Sequence, residues 1–115
     1  MSNPALALLR RVGGEALVAE MIELFLADAP NRLNRLRDAL AAQDPGGVAA
    51  AAHSFRSSCG NLGAERCRSA CERIELAAAQ QQLAWIPPLM AELEAMLDDE
   101  GEELRQALEA AQSAA

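Results

Sequence analysis

The chain has 115 residues and a mass of 12.2 kDa, the size of one domain. Hydrophobic residues make up 51%, aromatics only 3%, and 26 residues are alanine, a composition that favours helix and excludes a sandwich or barrel. Acidic residues outnumber basic ones 17 to 10, and a net charge of −7 argues against nucleic-acid partners, which demand a positive surface. No apolar run approaches the roughly 20 residues of a membrane span. The opening MSNPALALLRRVGG has no basic stretch ahead of an apolar one, so no signal peptide is expected. Three cysteines, an odd number, do not suggest a disulfide framework and fit a reducing cytoplasm.

In chain order, residues 4–12 read as a short helix with Asn3 as its cap and Pro4 in the first turn. Gly13-Gly14 breaks the pattern. From about 15 to 42, Ile22, Leu26, Ala29, Leu33, Leu36 and Leu40 form one apolar stripe that keeps phase through Pro30. That continuity predicts one kinked helix rather than two. Gln43-Asp44-Pro45-Gly46-Gly47 is the clearest loop.

A further helix is predicted over about 46–62, and Gly63 is a fitting stop. The next, about 64–80, carries Cys67, Cys71, Ile74 and Ala78 on one side. Pro87-Pro88 suits the first turn of a last helix to about 111, striped by Ile86, Met90, Leu93, Leu97, Leu104 and Leu108. The acidic stretch from Asp98 to Glu103 either interrupts that helix or forms a solvated face. Four long amphipathic helices with short connections imply an all-α antiparallel four-helix bundle with a short accessory N-terminal helix, residues 1–115 forming a single domain. Trp85 is expected to be a partly buried anchor of the connector. The Arg pairs at 10–11 and 32–35 are expected on solvated helix surface.

His53 is the only histidine. At 100° per residue, Val48, Ala52, Phe55, Cys59 and Leu62 lie between about 180° and 260° from it, so that stripe faces the core and His53 faces solvent. Within about 60° of it lie Gly46, Ala49, Ala50, Arg56, Ser57 and Gly60. An exposed imidazole with small neighbours and a cation one turn away suits a nucleophile that must admit a bulky partner and hold a phosphoryl group.

The run Ala52-His53-Ser54-Phe55-Arg56-Ser57-Ser58-Cys59-Gly60-Asn61-Leu62-Gly63-Ala64 resembles the signature of histidine-containing phosphotransfer (HPt) domains. Similarity extends upstream through Gly13-Gly14-Glu15, Phe25-Leu26, Pro30, Arg32-Leu33, Leu36, Ala39-Leu40 and Asp44, and downstream through Cys71-Glu72-Arg73-Ile74-Glu75. Two positions depart from the family pattern, Arg56 where Lys is usual and Ser57 where Gly is usual.

The resemblance implies a cytoplasmic phosphorelay intermediate without its own ATP site. His53 would accept a phosphoryl group from a receiver-domain aspartate, commonly in a hybrid histidine kinase, and pass it to a response-regulator aspartate. Arg56 would stabilise phosphate charge, and Ala49, Ala50, Ser57 and Gly60 would form the docking floor. No cofactor of its own is expected, Mg²⁺ being supplied by the receiver domain, and the chain is expected to be a free-standing monomer. The alternative is a helical adaptor that binds receiver or kinase domains without phosphotransfer. A zinc site from His53 and the three cysteines is disfavoured, since Cys59 lies about 120° around the helix from His53. One histidine cannot furnish a di-iron bundle, and no Gly-rich phosphate loop follows a strand.

Overall fold

Alanine- and leucine-rich segments with caps at their starts give four helices: α1 Pro4–Ala41, α2 Pro45–Asn61, α3 Glu65–Ala79 and α4 Ile86–Ala114. This is a computed structural model, and it describes residues 2–114. Connections of a few residues force each helix antiparallel to the last. In the resulting four-helix bundle, α1 packs on α2 and α4, and α3 on α2 and α4. The molecule measures 46 × 20 × 19 Å, its long axis set by the helices themselves.

The accessory segment precedes Gly14, whose φ of 71° and ψ of −168° are the only non-helical angles inside α1. A residue with a Cβ resists that conformation, so glycine locates the break. Beyond it the helix runs on through Pro30, and Val18, Ile22, Phe25, Ala29 and Leu36 are buried. Asn3 is indeed the cap: its Oδ1 accepts the Leu6 N–H at 3.0 Å. Its Nδ2 also donates to the Leu62 carbonyl at 3.0 Å, tying the start of α1 to the end of α2. Gly63, at φ +72°, closes that joint, because a Cβ there would lie 2.1 Å from Asn3 Oδ1.

Asp44 caps α2 by accepting the Gly47 N–H at 3.0 Å, and Pro45 occupies the first turn, where its missing donor costs nothing. The stripe Val48, Ala52, Phe55, Cys59 and Leu62 is buried as its spacing predicts. Facing it from α3 are Cys67, Ala70, Cys71, Ile74, Ala77 and Ala78, all buried. The three cysteines are free thiols in this core. Hydrogen bonding from Cys67 and Cys71, together with burial, pushes the Cys59 thiol far above its usual range, so it packs as a small apolar group.

α3 has no capping side chain of its own at Ala64. Glu100, from the middle of α4, supplies one: its carboxylate accepts the Arg66 N–H at 3.1 Å and the Cys67 N–H at 2.7 Å. The acidic stretch therefore neither interrupts α4 nor is wholly solvated, since Glu100 is only 6% exposed. A negative charge at a helix N-terminus meets both the free N–H groups and the positive end of the dipole. Trp85 departs from expectation. It sits in a single 3-10 turn, Leu83–Trp85, and is 59% exposed, because Ile86 at 0% fills the core position beneath the connector.

Glu100→Ala leaves two N–H groups of α3 without their acceptor. The expected loss is about 2 kcal/mol of unfolding free energy. Urea titration followed by circular dichroism measures it, against Asp99→Ala at the adjacent exposed position, which should change stability by under about 0.5 kcal/mol.

Candidate functional site

With its buried stripe turned inward, α2 presents His53 on the opposite face, and the side chain is 58% exposed. Ala50 and Ser57 are exposed around it, while Ala49, Arg56 and Gly60 are half-buried. All the residues singled out from the sequence therefore share one face of one helix. Gly60 has open space: an added Cβ would meet only Arg68 Cδ, at an ordinary 3.6 Å. Ser57 donates its hydroxyl to the His53 carbonyl at 3.2 Å, which satisfies it within its own helix.

The residue the sequence did not single out is Glu75. From α3, its Oε2 lies 3.0 Å from His53 Nδ1, and its Oε1 lies 3.3 Å from Arg56 Nη1. Arg56 Nη2 also approaches Nδ1, at 3.2 Å. One ring nitrogen cannot both donate to Glu75 and accept from Arg56. A carboxylate beside a guanidinium can only accept, so the shorter contact places the imidazole proton on Nδ1. In the neutral ring the lone pair is then on Nε2, at the other end of the ring from the Glu75 contact. Arg56 balances the Glu75 charge on the Nδ1 side.

Helix α3's own sequence places Glu75 beside its core stripe, about 100° from Ile74. Nothing in that spacing says which side chain of another helix it meets. On the other flank of His53, Arg32 of α1 donates from Nη1 to Ser54 Oγ at 2.7 Å. Its side chain is only 21% exposed, so it lies in a helix–helix seam rather than on open surface. Below it, a cleft of about 410 Å³ runs between α1 and α2, with Leu24, Phe25, Ser58 and Asn61 among its walls.

Around His53, Glu75 reaches in from α3 and Arg32 from α1, Arg56 and Ser57 contact His53 from its own helix, and Ala49, Ala50 and Gly60 keep the rest of the face low. No group of three His, Cys, Asp or Glu among the described residues is arranged to hold a metal ion. A profile of the Hpt domain matches residues 20–114, nearly the whole bundle. The chain belongs to the Hpt family. Its fold is similar to the crystal structure of histidine-containing phosphotransfer protein B (HptB) from Pseudomonas aeruginosa PAO1, at a TM-score of 0.88 and 26% identity, covering 95% of this chain and 94% of that one. No curated protein matches the chain by sequence.

Membership makes this Hpt domain a phosphocarrier with a histidine phosphotransfer role in a phosphorelay, with receiver domains and kinases as its classes of partner. No helix of the described residues is long and apolar enough to cross a membrane.

The tautomer is directly measurable. Long-range ¹H–¹⁵N NMR of neutral His53 should show the proton on Nδ1. Glu75→Ala should return the ring towards the Nε2–H form that free histidine prefers, and an unchanged spectrum would show that Glu75 does not set the tautomer.

Proposed function

We propose that His53 accepts a phosphoryl group from a receiver-domain aspartate and passes it to the aspartate of a response regulator. The observation that carries this reading is the Nδ1–Glu75 contact of 3.0 Å on an exposed ring: with Nδ1 donating to the carboxylate, the neutral imidazole has its lone pair on Nε2. Nε2 attacks the phosphorus of the aspartyl phosphate. The N–P bond forms as the P–O bond breaks, and the leaving carboxylate takes that electron pair. The ring then carries a proton on Nδ1 and phosphorus on Nε2, and its positive charge faces the Glu75 carboxylate. Return transfer reverses each step without a proton having to leave the site.

Phosphoryl transfer runs on positioning and charge stabilisation. Glu75, the carboxylate that contacts the ring, also faces the Arg56 guanidinium, and the partner supplies Mg²⁺ as well as the aspartate. Arg56 adds positive charge near the ring and keeps Glu75 in place. Ala49, Ala50, Ser57 and Gly60 give the partner's active site a low floor over which to close. Arg in place of the usual Lys keeps the charge and, through its fork, serves Glu75 and the ring vicinity at once.

Incubation with a phosphorylated receiver domain and Mg²⁺ tests the proposal. Acid-labile, alkali-stable label should appear on this chain and be absent from His53→Gln, whose helicity should be unchanged. Label persisting in His53→Gln would move the acceptor elsewhere. Binding without label, from several receivers, would instead support an adaptor that docks without phosphotransfer.

Gly60→Glu probes docking apart from chemistry. The fold has room for the new side chain, and replacing a helical glycine favours the helix. Bulk and like charge against the acidic receiver pocket should slow transfer at least about tenfold, equivalent to 1.4 kcal/mol. Undiminished transfer would remove Gly60 from the interface.

A further inference from the structure

The ring of His53 has two flanks, and they are differently equipped. On the α3 flank, Nδ1 is held by Glu75, and Arg56 is drawn to the same carboxylate. Nε2 therefore points away from α3. Around α2, Arg56 lies about 60° from His53 towards α3, and Ser54 about 100° the other way, towards α1. On that second flank stands Arg32, hydrogen-bonded to Ser54, the neighbour of His53.

Arg32 is under-used where it stands. Of the five N–H donors of a guanidinium, among the described residues only Nη1 is hydrogen-bonded, to the Ser54 hydroxyl at 2.7 Å. Its Nε lies 2.7 Å from Asp28 Oδ2, yet this buried atom makes no aligned hydrogen bond. A neutral hydroxyl is a weak partner for a cation, whereas a phosphoryl group offers charged oxygens to the guanidinium fork. Asp28, on the same helix, keeps the base of the side chain close while the Nη end turns. Arg56, by contrast, would have to leave Glu75 to cross to the Nε2 edge.

Resting on the reading of His53 as acceptor, we propose that Arg32 is a phosphoryl-binding residue. It exchanges the Ser54 hydroxyl for an oxygen of the phosphoryl group on Nε2 and so favours the charged carrier. The two arginines divide the work: Arg56 serves the Nδ1 side of the ring and Arg32 the Nε2 side. This gives Ser54 a definite part as the resting partner that parks Arg32 beside the site.

Equilibration with phosphoimidazole tests this without any receiver. The donor's N–P bond breaks, a new one forms at Nε2, and free imidazole leaves with the electron pair. ³¹P NMR reads the fraction of His53 charged against free imidazole. Arg32→Gln should lower that equilibrium ratio about three- to tenfold, the effect of one charge-assisted hydrogen bond near solvent. Arg32→Lys should retain most of it. Ser54→Ala should leave the ratio at or above wild type, since it frees Arg32 without removing it.

An Arg32→Gln variant that charges like wild type overturns the proposal. So does a Ser54→Ala variant that charges as poorly as Arg32→Gln, because Arg32 would then act only as an anchor between α1 and α2. Failure of the wild-type chain to charge at His53 is a different result: it overturns the acceptor reading itself, and this inference with it.

Discussion

The seam between α2 and α3 is built from small side chains, Ala52 and Cys59 on one side and Cys67, Ala70, Cys71 and Ala78 on the other, with Phe55 and Ile74 filling the space beside them. Small residues let helix axes approach closely, and ridges of one helix then lock into grooves of the next. This is the most extensive helix–helix contact of the molecule. Its register decides that a carboxylate on α3 stands opposite the imidazole on α2. A shift of one residue would rotate Glu75 by about 100° around its helix, away from Nδ1. The chemistry of the exposed face thus depends on packing in the interior.

The ends of that seam are fastened by polar groups from elsewhere in the chain. Glu100 of α4 holds the N-terminus of α3, and Asn3 holds the last carbonyl of the α2 turn. Both bonds satisfy backbone groups that a helix end would otherwise leave unpaired. They also fix where α2 and α3 begin and end along the bundle axis. A buried carboxylate is costly unless it is fully paired, and Glu100 is paired with two backbone donors and approached by the Arg66 guanidinium at 3.5 Å. The site residues themselves need no such burial. They stand on a helix whose position is already determined, which is how a phosphocarrier can keep an open face and a defined geometry together.

The exposed face is correspondingly plain. Alanine, serine and glycine offer no grip to a small molecule, and the two arginines near the ring are each restrained by a carboxylate at rest. On the proposed reading, a partner that brings its own metal ion and aspartate meets an exposed ring and little obstruction. The site would then be completed only when the two surfaces close.

Much of this could be read from the chain alone. The stripe Val48, Ala52, Phe55, Cys59 and Leu62 fixed the inward face of α2 and therefore the outward direction of His53, because helical periodicity is a local property. Asn3, Gly14 and Gly63 mark breaks whose conformations follow from their own side chains. Glu75, Arg32 and Ser54 could not be assigned in the same way, nor could Glu100 be told from its solvated neighbours. Each owes its part to a group 22 or more residues distant in sequence, across a helix–helix seam. Periodicity tells which way a side chain faces, and only the packed bundle decides what it faces.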